Sequence, residues 1–428
     1  MASSAVFLIG CCRSMLVYCT YICSEYSIKH AVDSSCRASI CRSVALGNHP
    51  VMMSIDMMPL LRREPPTQIP YITAAPPPEV SSPLSSFNMS DHTDHTISQD
   101  HKAKLHRIGE GFCGTVWAAT SDDKEISAAW VFKREDGGPS RSLHNDYRMH
   151  RRILNCMKTL AEIKKSKKQT HQQALVPACF RFIPPTEEPW WKRHLSRFPD
   201  GHSPCNTLQA QRIPSFGSVT RRLLVERYCP PDLRPEILSS DTNRSCLIRP
   251  YLGRRGIQRT SEPGRSQAFS LRNFPLHIDQ MMELGIPIGH RVLYARAMAE
   301  ALATIHWLGQ MDGNDIEFVL APPPADGTHE GNTWVNILGP HALWILDFDL
   351  VRIITMNEHG VLQAVTAFQR NDPFYPRPGR GSILWEVFRK QYLSTSHDCI
   401  TTVMDGSGQR ERLALSQRFI EILEVEGP

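Results

Sequence analysis

Several residues in this chain have the types and spacing for work on phosphate. Gly109-Glu110-Gly111-Phe112-Cys113-Gly114-Thr115-Val116 reads G-x-G-x-x-G-x-V. Glycines are needed where a backbone comes close to phosphate oxygens or takes a positive φ, although the same three also make an ordinary hairpin turn. Ala128-Ala129-Trp130-Val131-Phe132-Lys133 is an apolar run that ends in a lysine, a cation suited to phosphate. Acids follow at Asp146, Asp312, Glu317 and Asp347. Carboxylates are the hard oxygen ligands that magnesium accepts, and a single positioned acid orients an attacking hydroxyl. Each acid also has a plainer explanation. Asp146 suits the first turn of a helix, where the dipole favours negative charge. Asp312 and Asp315 suit a turn, and Asp347 suits the end of a strand.

The elements around these residues decide between the alternatives. A dinucleotide-binding loop would need a helix straight after the glycines, but Thr115-Val116-Trp117-Ala118-Ala119-Thr120 has strand character. Residues 105–120 and 126–133 are therefore expected as strands around the glycine turn. Residues 145–163 are expected as a helix, because Met149, Ile153, Met157 and Leu160 recur at three- and four-residue steps. That helix sets Asp146 beside the buried stripe. Residues 223–228 are expected as a strand at a hinge between lobes, and 246–252 as another short strand. Residues 291–307 form a helix that delivers the chain to Asp312, and 342–346 a buried strand leading into Asp347-Phe348-Asp349.

The order glycine loop, Lys133, Asp146, Asp312, Glu317, Asp347 resembles the order of parts in protein kinases. What that resemblance implies is ATP held with magnesium. Gly109, Gly111, Gly114 and Val116 would cover the nucleotide, with Lys133 on its phosphates and Asp146 holding that lysine. Asp312 would stand at the catalytic-base position, and Glu317 and Asp347 would be the metal ligands. Three departures bear on activity. Gln310-Met311 replaces the His-Arg pair of H-R-D, Glu317 replaces the metal-binding Asn five positions after Asp312, and Asp347-Phe348-Asp349 lacks the glycine of D-F-G.

The 428 residues allow two modest domains or one large one with tails. Apolar content of 41% with 21% charged residues suits a globular protein. A net charge of +5 is too small at this length to argue for nucleic acid. The thirteen cysteines form no regular framework and fit a reducing compartment. Residues 1–58 carry apolar stretches broken by Arg13, which leaves open a secretory signal or anchor or a segment outside the working protein. Cys19, Cys23, Cys36 and Cys41 are spaced too loosely for a standard zinc site. Eight prolines between Pro59 and Pro83 mark a linker, so folded structure is expected from near His101. The run Lys164-Lys165-Ser166-Lys167-Lys168 reads either as a nuclear address or as a solvated helix end. Residues 181–220 read as an insertion.

Four motifs carry a second, more specific resemblance. They are Ser270-Leu271-Arg272-Asn273-Phe274-Pro275-Leu276-His277, His306-Trp307, Asp315-Ile316-Glu317-Phe318-Val319-Leu320 and Asn371-Asp372-Pro373-Phe374-Tyr375-Pro376-Arg377-Pro378. Across roughly residues 105–393 the chain resembles a family of filamentous fungi that is often labelled zinc finger protein and has no established activity. No Cys/His set in the domain has zinc-ligand spacing. Only 50 residues follow Pro378, expected to hold helices at 383–392 and 413–425, so the second lobe is short for a kinase. A small-molecule substrate is then favoured over a protein.

The sequence thus points to an α+β, two-lobed, protein-kinase-like fold with an abbreviated C-terminal lobe. Its divisions are 1–58 outside the fold, 59–100 linker, 101–252 small lobe and 253–428 helical large lobe. The function expected is a divergent, kinase-like, ATP- and magnesium-binding protein, with either divergent phosphotransferase activity or none. The alternatives are an inactive pseudokinase acting as an interaction module, or a nuclear transcription-associated regulator. A nucleotide is the expected partner, with no nucleic acid and no membrane, in cytoplasm or nucleus.

Overall fold

The computed structural model describes residues 103–426 apart from 112, 120–128, 136–141, 170–172, 257–268, 325–329, 372 and 380. The expectations for residues 1–58 and their cysteines, and for the linker, lie outside the described residues.

Among the described residues, two five-stranded sheets and a set of helices make a mixed α/β fold. The first sheet has the order β1-β2-β3-β5-β4 and is antiparallel throughout. Its strands are β1 (Leu105–Gly111), β2 (Gly114–Ala119), β3 (Trp130–Arg134), β4 (Cys179–Ile183) and β5 (Thr207–Gln211). The glycine stretch forms the β1–β2 hairpin, with Gly109 opposite Val116 and Gly111 opposite Gly114. Gly114 has φ +146°, a conformation that a residue with a side chain resists.

Helix α1 (Leu143–Ser166) runs longer than the apolar stripe alone required. Ser142 caps it by accepting from the Asn145 amide, Asp146 meets the N-terminal dipole, and Lys164 and Lys165 meet the C-terminal one. Met149, Ile153, Met157 and Leu160 are all buried. Residues 184–206, between β4 and β5, carry α2 (Glu188–His194). Its Trp190 and Trp191 join Phe132, Trp117 and Phe198 in the core under the first sheet. The stretch expected to be an insertion therefore also supplies most of β4 and the whole of β5.

Past β5 the chain crosses to the second half. Residues 223–228, expected as a hinge strand, lie in helix α3 (Ser218–Tyr228). Thr220 and Leu224 are buried four residues apart while Arg222 and Glu226 face outward. A short apolar run does not reveal such a helical period by itself. Residues 212–215, directly after β5, instead lead to Phe216, which packs in the larger core. A short helix α4 (Arg234–Ser239) follows.

The second sheet has the order β7-β6-β8-β10-β9. Its strands are β6 (Ile248–Tyr251), β7 (Phe274–His277), β8 (Glu317–Ala321), β9 (Trp334–Asn336) and β10 (Gly339–Leu346). The sequence placed β6 in the first lobe, but it pairs with β7 and β8, so its contacts belong to the second half. After β7 come α5 (Ile278–Glu283) and α6 (Ile288–Trp307), which is buried on nearly every side from Tyr294 onward. A helix apolar all round belongs at the centre of a core. Then α7 (Glu358–Arg370), α8 (Ile383–Val403) and α9 (Gly406–Glu426) close the chain, with α8 packed along α6.

Helix α1 also touches the second half along its length. Asn145 Nδ2 donates to the carbonyls of Asp349 (2.9 Å) and Val351 (3.0 Å), and Arg152 Nε donates to Gly309 (2.6 Å). Lys164 Nζ reaches Glu300 of α6 at 2.8 Å, and Lys167 pairs with Asp398 of α8. Two of the lysines in the basic run thus hold helices together. Among the described residues no helix is long and apolar enough to cross a membrane.

Candidate functional site

Lys133 lies in β3 opposite Val116, directly beneath the glycine hairpin. Its ammonium sits 2.7 Å from Asp146 Oδ2 on α1 and 2.7 Å from Asp347 Oδ1 after β10. The helix and the two strands therefore bring three of the expected residues to one point. Burial works against the charge on Lys133, but the two carboxylates outweigh it and hold the pKa well above the ordinary lysine value. Asp146 Oδ1 accepts the Phe348 amide at 3.3 Å, which ties α1 to the turn after β10. Asp347 takes φ +65°, an uncommon conformation that aspartate tolerates better than most residues.

At the hairpin tip the Cys113 thiol donates to Asp347 Oδ1 at 4.0 Å. Burial pushes that thiol up to about 12, so it is neutral at physiological pH. A Cβ on Gly109 would come within 3.2 Å of Val116 Cβ, whereas one on Gly111 would meet nothing within 4 Å among the described residues. Packing explains the first glycine but not the second, which borders the open cleft. That cleft has a volume of about 240 Å³ and includes Lys133, Asp146, Asp347, Glu317, Arg249 and the hairpin. It lies just under the ~300–1,000 Å³ usual for small-molecule sites, with Cys113 resting on one wall.

Asp312 lies elsewhere. It is buried, and it lines a separate hollow with Asn314, His359, Gln363 and Arg370. Its Oδ1 accepts the amides of Asn314 (3.0 Å) and Arg352 (2.9 Å), and its Oδ2 accepts Gln363 Nε2 of α7 at 2.9 Å. Both carboxylate oxygens thus hold the loop closed, rather than facing the cleft that Lys133 lines. Asp312→Ala is expected to lose about 2–4 kcal/mol, since hydrogen bonds to a charged group are worth ~1.5–3 each before the gaps relax. Asp312→Asn keeps an oxygen for the two amides and should cost under about 1 kcal/mol. Equal melting temperatures for the Ala variant and the parent would show that the carboxylate carries no such duty.

Glu317 opens β8 and lines the Lys133 cleft, where it pairs with Arg249 of β6. The register that sets Ile248 opposite Leu320 leaves Glu317 diagonal to Arg249, within reach of a long side chain. Burial disfavours the guanidinium charge, but Glu317 and Tyr251 more than restore it and raise the pKa above its ordinary value. Nothing in the motif order pointed to Arg249. The signal available was a lone cation inside the apolar run 246–252.

The two acids assigned to metal are thus both committed to basic side chains. Cys113, Asp146 and Asp347 do bring donor atoms within 4.8 Å of one another. However, the Lys133 ammonium already bridges the two carboxylates. The third donor is a soft, protonated thiol that magnesium does not seek. As they stand, these residues do not fit a divalent ion. Each acid would first have to give up its cation.

Residues 343–403 match the family model DUF3669, described as zinc finger protein. The match runs from β10 through the turn at Asp347 and α7 to the end of α8. Within it stand one cysteine, Cys399, and the histidines His359 and His397. That is too few sulfur and nitrogen ligands, at the wrong spacing, for a zinc finger. Among solved structures, a double mutant of the PknI kinase domain of Mycobacterium tuberculosis is 12% identical, with 73% of this chain and 94% of that one covered at a TM-score of 0.22. No curated protein matches.

Proposed function

We propose that this is a kinase-like protein whose cleft binds the phosphates of a nucleotide such as ATP, and that it does not transfer phosphoryl through Asp312. One observation carries the binding half: Lys133 stands under a glycine hairpin and is fixed by an acid from α1 and an acid after β10. Kinases present a lysine to the α- and β-phosphates through the first of these contacts, the acid of the helix, while the acid after the strand goes to magnesium; here Lys133 takes both carboxylates. The open space beside Gly111 suits the close approach of an oxyanion to backbone.

The capture of Asp312 supports the second half. A general base must reach the proton it abstracts, and here α7 and the Arg352 amide occupy both of its oxygens. Lys133 would then serve to bind and orient the phosphates.

Thermal unfolding with added ATP tests both parts. At 100 times its dissociation constant, ATP should add about 2.7 kcal/mol of stability, while phosphate release and transfer stay at background. No stabilisation by ATP or ADP at millimolar concentration would remove the nucleotide. Sustained ATP turnover lost in Asp312→Asn would restore the phosphotransferase.

A further inference from the structure

The Arg249–Glu317 pair has no counterpart in the kinase pattern, where the position of Glu317 is a neutral amide that holds the second metal. Glutamate there adds one negative charge and Arg249 adds one positive charge, so the pair is neutral in itself, where the kinase pattern has a neutral amide and a dication. It replaces a removable cation with a fixed one. Both side chains are mostly buried, 21% and 18% exposed, and both line the cleft that holds Lys133. On the other side, Lys133 bridges Asp146 and Asp347. The two acids that a metal would need, Asp347 and Glu317, are thereby each in contact with a protein cation, with Lys133 shared between Asp347 and Asp146. Of the remaining lining residues, Arg212 and Arg272 add further positive charge, and Glu110 is paired with Arg107.

We propose that Arg249 takes the place of the second metal ion, so that the cleft binds nucleotide phosphates without a divalent cation. This rests on the nucleotide reading above. A guanidinium carries five donors in a fixed fork and holds a carboxylate and a phosphate oxygen together. It is also weakly hydrated, so its approach to a phosphate costs less desolvation than an ammonium would. Glu317 serves as the anchor that aims Arg249, and as a positioning residue it need not touch the ligand. Magnesium complexed to free ATP would compete with Arg249 for the same oxygens, so added metal should leave affinity unchanged or lower it.

Calorimetric titration of the full chain with ATP, in EDTA and in excess magnesium, tests this together with two variants. The parent is expected to bind in both buffers with affinities within about threefold, well below the tenfold that 1.4 kcal/mol represents. Arg249→Gln should bind at least tenfold more weakly in EDTA, since a charge-assisted bond of ~1.5–3 kcal/mol is lost. Magnesium should largely restore it, because Glu317 then offers the carboxylate that a metal needs. Arg249→Gln/Glu317→Gln removes the buried charge as well as its partner. It should fold as the parent does and bind weakly in both buffers, without the response to magnesium. A parent that binds ATP only with metal overturns the proposal and leaves the nucleotide standing. A parent that binds ATP in neither buffer removes both. A double variant that matches the parent in EDTA also overturns it, since Arg249 would then be idle.

Discussion

Lys133→Met is expected to unfold the protein more readily by about 3–5 kcal/mol, the usual result of removing one partner from a buried ion pair, and to abolish nucleotide binding. Two carboxylates depend on this one ammonium. Asp146 has a side chain only 3% exposed and would be left uncompensated beside Asp347, which is 26% exposed. The pH dependence has a definite sign. A lysine pKa raised on folding stabilises fully below the unfolded value of ~10.4, and the contribution is lost as pH rises through the higher folded value. The parent should therefore keep this contribution at neutral pH and lose it only in strong alkali. Lys133→Met/Asp146→Asn should recover part of the stability and none of the binding. If chemical denaturation shows Lys133→Met as stable as the parent, the two aspartates do not rely on it, and its place at the centre of the site is wrong.

Lys164→Met should cost a similar ~3–5 kcal/mol for the same reason, at a place far from the cleft. Lys164 on α1 and Glu300 on α6 are 6% and 2% exposed at the side chain and lie 2.8 Å apart. Here burial dominates over the attraction of Glu300, so the lysine pKa falls below its ordinary value. A depressed lysine reverses the sign seen at Lys133. The unfolded chain binds more protons than the folded one between the folded pKa and ~10.4, so this residue makes stability rise with pH across that window. Lys164→Met/Glu300→Leu removes both charges at similar volume. It should fall within about 1–2 kcal/mol of the parent, or exceed it, as buried pairs replaced by apolar groups commonly do. That variant should also lose the alkaline rise. Denaturant midpoints across pH would check both. A single variant no less stable than the double would mean that water reaches Glu300, and that α1 is not held to α6 by charge.

Local patterns alone determined a good part of this protein. The stripe from Met149 to Leu160 fixed α1, the apolar face after Arg291 fixed most of α6, and the run before Asp347 fixed β10. Each of these states its own period within one element. The spacing of Lys133, Asp146 and Asp347 likewise announced a shared site, and all three meet. The strand expected at 223–228 failed because six apolar and charged residues fit either period, and packing against neighbours chose the helix. Only the tertiary structure could decide what each remaining acid does. Asp312 is captured by Gln363, 51 residues away, and Glu317 by Arg249, 68 residues away. Motif order places a carboxylate along the chain. It does not say which cation the sheet register will bring opposite, and in a partly desolvated cleft that partner settles whether the acid can take a metal, accept a proton or only hold a loop shut.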